Sequence, residues 1–357
     1  MSYERDNIAR MQGYSYGEQP ESLQVVKLNT NENPYPPSPA VASALTAFDP
    51  TRLRVYPNAQ ATPLRGALAE LHGVQPQNLM ITNGGDEALR LALTTFVDAG
   101  AVFASLTPSY SLYPVLAQIQ DAKQLNIPLN PDFSLPQDLA GQLNHAHARL
   151  TCLVNPHAPS GTLIAAKEII ELAQNVEGVL LVDEAYVDFV DPSRNYDLTD
   201  ALQELPNLVL LRSFSKCYSL AGLRCGYLMG HVGLIKPMME KTRDSYNVDA
   251  ITQSLALAAV TDQDYARDNW RTVCDSRAEL SSQLTELGFR IPPSQGNFLL
   301  AQDQPAHALN AAELYQALRD QHLYVRYFAE LPDRLRITIG TPDENRQLVA
   351  ALRKLLG

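Results

Sequence analysis

Short apolar runs punctuate the first two thirds of the chain, and each ends in polar, chemically versatile residues. Leu79-Met-Ile-Thr82 leads into Asn83-Gly-Gly-Asp-Glu87, and Ala101-Val-Phe-Ala-Ser-Leu106 into Thr107-Pro-Ser-Tyr110. Leu150-Thr-Cys-Leu-Val154 leads into Asn155-Pro-His-Ala-Pro-Ser-Gly161, and Val179-Leu-Leu-Val182 into Asp183-Glu-Ala-Tyr186. The fifth run, Asn207-Leu-Val-Leu-Leu-Arg212, delivers Ser213-Phe-Ser-Lys216. Continuous apolar runs of this length read as strands buried on both faces. Intervening stretches such as Glu87 to Val97 and Ala165 to Ala173 carry apolar residues at three- and four-residue spacing and predict helices. The alternation predicts an α/β fold with a mostly parallel sheet covered by helices. From Arg212 to the next strand candidate, Cys225 to Met229, the gap is too short for a helical crossover. An antiparallel strand is expected there, giving a mixed sheet and disfavouring a (β/α)₈ barrel.

Beyond about residue 235 the pattern turns helical, with apolar spacing over Ala250 to Val260 and Tyr265 to Leu287. Asn297 to Ala301, a helix around Ala311 to Arg319, and strands near Tyr324 and Leu335 to Ile339 predict a smaller α+β domain. The proline-dense Pro34 to Pro39 predicts an extended arm. The expected division is an arm over 1–35, a large α/β domain over 36–260 and a small domain over 261–357.

In such sheets ligands collect at the carboxyl ends of the strands, where all five polar stations fall. An amine, two hydroxyls and a guanidinium (Lys216, Ser213, Ser215 and Arg224) suit a site that holds a phosphate and condenses with a carbonyl, as pyridoxal 5'-phosphate (PLP) requires. Asp183 is the candidate carboxylate for a protonated pyridine nitrogen, and Tyr186 a hydrogen-bond partner for the cofactor's phenolic oxygen. Gly84, Gly85 and Asp86 open a helix whose free amides face an anion. Tyr110 is a candidate to stack on the ring.

Bulk properties narrow the alternatives. The 357 residues, 45% hydrophobic and 19% charged, describe a globular protein. A net charge of −11 argues against a nucleic-acid surface and against an anionic membrane. No run approaches the roughly 18 apolar residues of a membrane span, and Met1-Ser-Tyr-Glu-Arg-Asp6 lacks a signal peptide's apolar core, so a cytoplasmic location is expected. The four cysteines show neither CxxC nor Cys/His ligand spacing, and no metal is expected.

The ordered set Lys27-Leu-Asn-Thr-Asn-Glu-Asn-Pro-Tyr35, Tyr56-Pro57, Asn83-Gly-Gly-Asp-Glu87, Pro108-Ser-Tyr110, Asp183-Glu-Ala-Tyr186, Ser213-Phe-Ser-Lys216, Leu220-Ala-Gly-Leu-Arg224 and Leu335-Arg-Ile-Thr-Ile-Gly340 resembles the histidinol-phosphate aminotransferases, a branch of the class I/II PLP aminotransferases. The resemblance spans nearly the whole chain. It implies PLP fold type I, with a seven-stranded-type sheet in the large domain. It implies that Lys216 bonds the cofactor and moves the proton, that Asp183 pairs with the pyridine nitrogen, and that Tyr186 and Tyr110 contact the ring system. It further implies a homodimer with shared active sites, in which Tyr56 reaches the cofactor phosphate of the other subunit. Arg336 and Arg326 match the two substrate arginines, Tyr14 resembles an arm tyrosine that closes over the substrate, and Asn33 falls among the substrate-binding positions. The implied reaction is transamination between L-histidinol phosphate and 2-oxoglutarate, with imidazole acetol phosphate and glutamate as the other pair. An aromatic amino acid aminotransferase is the alternative, followed by a PLP-dependent decarboxylase of an amino acid phosphate and a PLP-sensing protein without catalysis.

One position departs from the pattern. Where the family has an asparagine that bonds the phenolic oxygen, this chain has Ala158, within His157-Ala-Pro-Ser-Gly161. Either His157 takes that role, or Tyr186 acts alone, or a water fills the gap.

Overall fold

The structure, a computed structural model, describes residues 3–20 and 25–357. Seven strands form the central sheet: β1 (Leu79–Thr82), β2 (Val102–Thr107), β3 (Lys123–Pro128), β4 (Ala148–Val154), β5 (Val179–Asp183), β6 (Leu208–Ser213) and β7 (Gly226–Gly230). Their spatial order is β1-β7-β6-β5-β4-β2-β3. All neighbouring pairs are parallel except those made by β7, which runs antiparallel to both β6 and β1. The antiparallel strand thus lies where the short connection after Arg212 placed it.

The apolar strands bury alternate residues on opposite faces. Met80, Leu181, Val209, Leu211 and Leu228 pack with Ala88, Leu89 and Ala92 of the helix Gly84–Phe96. Ile81, Leu180, Val182, Leu210 and Met229 join the apolar layer on the other face. Burial of each leucine contributes about 1.5–3 kcal/mol, and truncating one to alanine costs about 2–5 kcal/mol, because the layers cannot collapse around the cavity. The strand that the apolar pattern does not reveal is β3, Lys-Gln-Leu-Asn-Ile-Pro. It lies at the sheet edge, where polar residues are tolerated on the outer side and deter strand addition.

A second, antiparallel sheet contains β8 (Phe298–Gln302), β9 (Arg326–Tyr327) and β10 (Arg334–Thr338), in the order β9-β10-β8. Helices Gln263–Glu286, Ala311–Asp320 and Pro342–Leu356 accompany it. Reciprocal caps fix the starts of the last two, Asn310 with Glu313 and Thr341 with Glu344. The extended stretch after Pro34 ends at Ser38, whose hydroxyl caps a helix over Pro39–Ala47.

Residues 26–33 connect the two sheets. Val26 and Lys27 pair in parallel with Leu323 and Tyr324, and the Thr338 amide donates to the Leu28 carbonyl at 2.9 Å. The same segment then passes across the carboxyl ends of β5 and β6, as described below. Among the described residues no helix is long and apolar enough to cross a membrane, and no group of three or more His, Cys, Asp and Glu is placed to hold a metal.

Candidate active site

Lys216 lies three residues past the end of β6. Its Nζ donates to the Thr30 carbonyl at 2.8 Å. Burial, reinforced by the Arg336 guanidinium and opposed by Glu32, pushes its amine down to about 8. An amine with that affinity for protons is substantially neutral near pH 8 and able to attack a carbonyl.

Asp183 closes the neighbouring strand β5 and is buried. Burial raises its carboxyl to about 6, while hydrogen bonds from the Tyr113 hydroxyl at 3.0 Å and the Ala185 amide at 3.2 Å oppose the rise. Its charged neighbours in the chain are the acids Asp86 and Glu184, which add to the rise. Burial also raises the phenol of Tyr186, against the pull of Arg336 and of a hydrogen bond from Asn31 Nδ2 at 3.0 Å.

A cationic cup forms where three segments meet. Arg224 Nη1 donates to Ser215 Oγ at 3.3 Å, and the Ser215 amide donates to Ser213 Oγ at 3.1 Å. Arg224 Nη2 lies 3.4 Å from Asp86 Oδ2, whose other oxygen accepts from the Tyr110 hydroxyl at 3.2 Å. Gly84 has φ +75°, and a Cβ there would sit 2.7 Å from Arg224 Nη2. Gly226 of β7 would likewise press a Cβ to 3.0 Å from the Gly84 carbonyl carbon. These glycines let the turn, the strand beneath it and the guanidinium converge.

The second basic feature sits on the small sheet. Arg326 and Arg336 are direct cross-strand partners of β9 and β10. Like charges placed opposite one another are destabilising, and Arg326 accordingly lowers the proton affinity of Arg336, although burial is the larger cause. Both guanidinium groups lie over Phe328, at 5.5 and 5.3 Å, and Arg336 also lies over Phe298 at 5.5 Å. Arg336 donates to the Asn29 carbonyl at 3.0 Å, but its buried Nε has no partner. The pair is therefore primed for an oxyanion that takes several N–H groups at once.

Tyr14 reaches this region from the arm, with its ring edge-on to Tyr110 at 6.0 Å. Three other positions chosen from sequence are placed differently. Asn33 spends its amide on the Lys216 carbonyl at 3.1 Å and on Asn269 at 2.9 Å, so it anchors the lysine's backbone. Both ring nitrogens of His157 are engaged, Nδ1 with Ser160 Oγ at 2.7 Å and Nε2 with the Pro108 carbonyl of the loop after β2 at 2.8 Å. Burial holds that imidazole down at about 4, so it is neutral. Tyr56 is 78% exposed, stacked at 4.4 Å on Tyr246 and apart from these groups within one chain.

Residues not singled out from sequence complete the geometry. Tyr113 is fully buried against Asp183, in the first turn of the helix Leu112–Gln120; in sequence a tyrosine on an apolar helix is indistinguishable from ordinary core. Thr30 and Asn31 hold Lys216 and Tyr186, within an Asn-Thr-Asn-Glu-Asn run whose polarity resembles a surface loop. Arg212 and Glu184 form a buried ion pair at 2.8 Å between the ends of β6 and β5, which fixes the strands that carry Lys216 and Asp183.

The family described as aminotransferase class I and II matches residues 24–352. The histidinol-phosphate aminotransferase 1 of Trichormus variabilis is 41% identical over 99% of both chains, and the histidinol-phosphate aminotransferase of Synechocystis is 39% identical over 99% of this chain and 98% of its own. The fold matches the crystal structure of histidinol-phosphate aminotransferase from Sinorhizobium meliloti in complex with pyridoxal-5'-phosphate, with a TM-score of 0.89 at 24% identity over 100% of this chain and 98% of that one. A lysine and a carboxylate on adjacent strand ends, facing paired arginines on a second sheet, occur here within a sequence alike from end to end, and the chain belongs to the histidinol-phosphate aminotransferase family of class I and II aminotransferases.

Proposed function

We propose that this chain catalyses PLP-dependent transamination between L-histidinol phosphate and 2-oxoglutarate, with imidazole acetol phosphate and glutamate as the other pair. The observation that carries the reading is the Lys216 amine, lowered to about 8 and set between a cationic cup and an arginine pair.

The residues fit the cofactor. Gly84 leaves room beside Arg224 where a Cβ would intrude, which suits a phosphate held by Arg224, Ser213, Ser215 and the amides of the helix that opens at Gly84 and Gly85. Asp183 is a buried carboxylate whose charged neighbours are acids, so a pyridinium nitrogen supplies the cation it lacks. When bound, the cofactor serves as an electron sink for the carbanion character that develops at the substrate Cα.

The chain's own groups do the rest. Lys216 would serve as general base and acid within each half-reaction, its amine taking the Cα proton and handing it on to the bound cofactor in one direction and carrying a proton back to Cα in the other. Arg336 and Arg326 bind the phosphate ester of one substrate and a carboxylate of the other, since a planar guanidinium fork accepts either oxyanion. With the cofactor bound, the Tyr186 hydroxyl would donate a hydrogen bond to its phenolic oxygen, Tyr110 would flank the ring, and Tyr14 would help exclude water. Two copies form the working unit, with exposed Tyr56 reaching the cofactor phosphate of the second copy. We read 36–260 as the large unit, 261–357 as the small one and 1–35 as the arm.

The aromatic groups around the arginines, Tyr14, Tyr110 and Phe328, favour a ring-bearing substrate and make phenylalanine the second reading. The test is an absorbance titration of cofactor-loaded enzyme. L-Histidinol phosphate should convert the band near roughly 420 nm to one near 330 nm, the change expected of PLP passing to its amine form, whereas histidine should do so weakly. Faster conversion by phenylalanine would transfer the assignment to the second reading.

A further inference from the structure

We infer that Asn31 is a positioning residue for Tyr186: its amide, coming from the crossing segment, bonds Tyr186 Oη and so supports the tyrosine that must serve the phenolic oxygen where Ala158 offers no donor. Asn31 is 1% exposed and sits at φ +55°. Its backbone amide donates to Thr338 Oγ1 at 2.9 Å, and the Thr338 hydroxyl in turn donates to Asn31 Oδ1 at 3.1 Å. The Asn31 carbonyl accepts from Asn297 Nδ2 at 3.0 Å. These bonds determine which way the side-chain amide faces. The Thr338 hydroxyl accepts the backbone N–H and gives its own proton to Oδ1, an arrangement that uses both groups and leaves Nδ2 pointing at Tyr186.

The consequence is directional. Tyr186 Oη accepts from Nδ2 at 3.0 Å, so its own proton is free for a different acceptor. Accepting one hydrogen bond makes a hydroxyl a better donor of the next. No side-chain donor comes from Ala158, and His157 has both nitrogens engaged elsewhere. The stabilisation of an oxyanion in front of Tyr186 therefore depends on Asn31. Thr338 stands two residues from Arg336 on β10, so the same contact ties Tyr186 to the strand that binds the substrate anion.

The inference rests on the proposed cofactor chemistry, and the spectrum separates the two. The measurement is the pH midpoint of the visible band of PLP-loaded enzyme, for the parent, Asn31→Gly, Tyr186→Phe and the double variant, with melting temperature recorded for each. Glycine accepts the positive φ without strain and removes only the side chain. Loss of the donor should raise the midpoint by about half a pH unit or more in the parent background, and should leave it unmoved in Tyr186→Phe. A shift of equal size in both backgrounds, or none in the parent, overturns the inference. Asn31→Asp keeps the Thr338 contact but cannot donate when ionised; it too must raise the midpoint, and an unchanged value would be equally decisive. Absence of any visible band in the parent would instead reject the cofactor reading itself.

Discussion

The molecule presents two cationic cups that differ in how their charge is balanced. Arg224, at the strand ends of the large sheet, has a carboxylate 3.4 Å away and a side chain 46% exposed, and it donates to the Ser215 hydroxyl and the Ala221 carbonyl. Arg336 faces another arginine across the ladder, lies over two phenyl rings and has a buried Nε without a partner. The first cup is complete before any ligand arrives, which suits a group that stays. The second is held in mutual repulsion that only an incoming anion relieves, which suits a substrate that must leave between half-reactions. Lys216 lies between the two, and its proton affinity is lowered chiefly by burial and then by the second cup.

The sharpest way to separate the cups is to remove what lies between them. Lys216→Ala should lower turnover by about 10⁴-fold or more, while equilibrium dialysis still detects PLP retained by the Arg224 cup. Near-normal turnover would remove the lysine from the mechanism. Next in size, Arg336→Gln should lower kcat/KM for histidinol phosphate by about 10²-fold or more, since an anion would enter a buried site with one of its guanidinium partners gone. The same substitution should shift upward the pH midpoint, near 8, of the rate at which PLP joins the ligand-free protein. Stopped-flow absorbance would check this, and an unmoved midpoint would show that the second cup does not act on Lys216.

Asp183 provides a pH test of the balance on the cofactor side. In the ligand-free chain its carboxyl is raised to about 6, above its unfolded value near 4. The folded state holds that proton more tightly, so this group's contribution to stability falls as pH rises from about 4 to about 6, by roughly 3 kcal/mol at most. Asp183→Asn should flatten the slope of melting temperature against pH in that window, and an unchanged slope would show that the carboxylate is not destabilised by burial. Tyr113→Phe, which removes one donor to Asp183, should cost about 1.5–3 kcal/mol of stabilisation of the carboxylate and reduce kcat by roughly 10-fold. The smallest effect should come from Arg326→Gln in the absence of ligand, where relief of repulsion leaves the melting temperature equal to or above that of the parent.

The framework of this site is legible in the sequence because strands buried on both faces need unbroken apolar runs, and the polar residues ending those runs must gather at one sheet edge. Lys216, Asp183, Tyr186 and Arg224 stand at such ends. What escapes the pattern lies where hydrophobicity carries no information. Strand β3 is polar because it borders the sheet, and Tyr113 is concealed because a buried tyrosine on a helix resembles core until its hydroxyl is seen to reach a carboxylate. The segment with Thr30, Asn31 and Asn33 resembles a solvated loop, yet lies across both strand ends because its polar groups bond to backbone and side chains there. His157 illustrates the converse: a titratable residue in a promising loop whose nitrogens bond Ser160 of that loop and the Pro108 carbonyl of the loop after β2.

The most direct measurement is the covalent address of the cofactor. Protein loaded with PLP, treated with borohydride, digested and sequenced by mass spectrometry should carry the cofactor-derived mass on Lys216 and on no other lysine. The same mass on Lys27, the lysine within the crossing segment, or on no lysine at all, would contradict the assignment of Lys216 as the amine between the two cups.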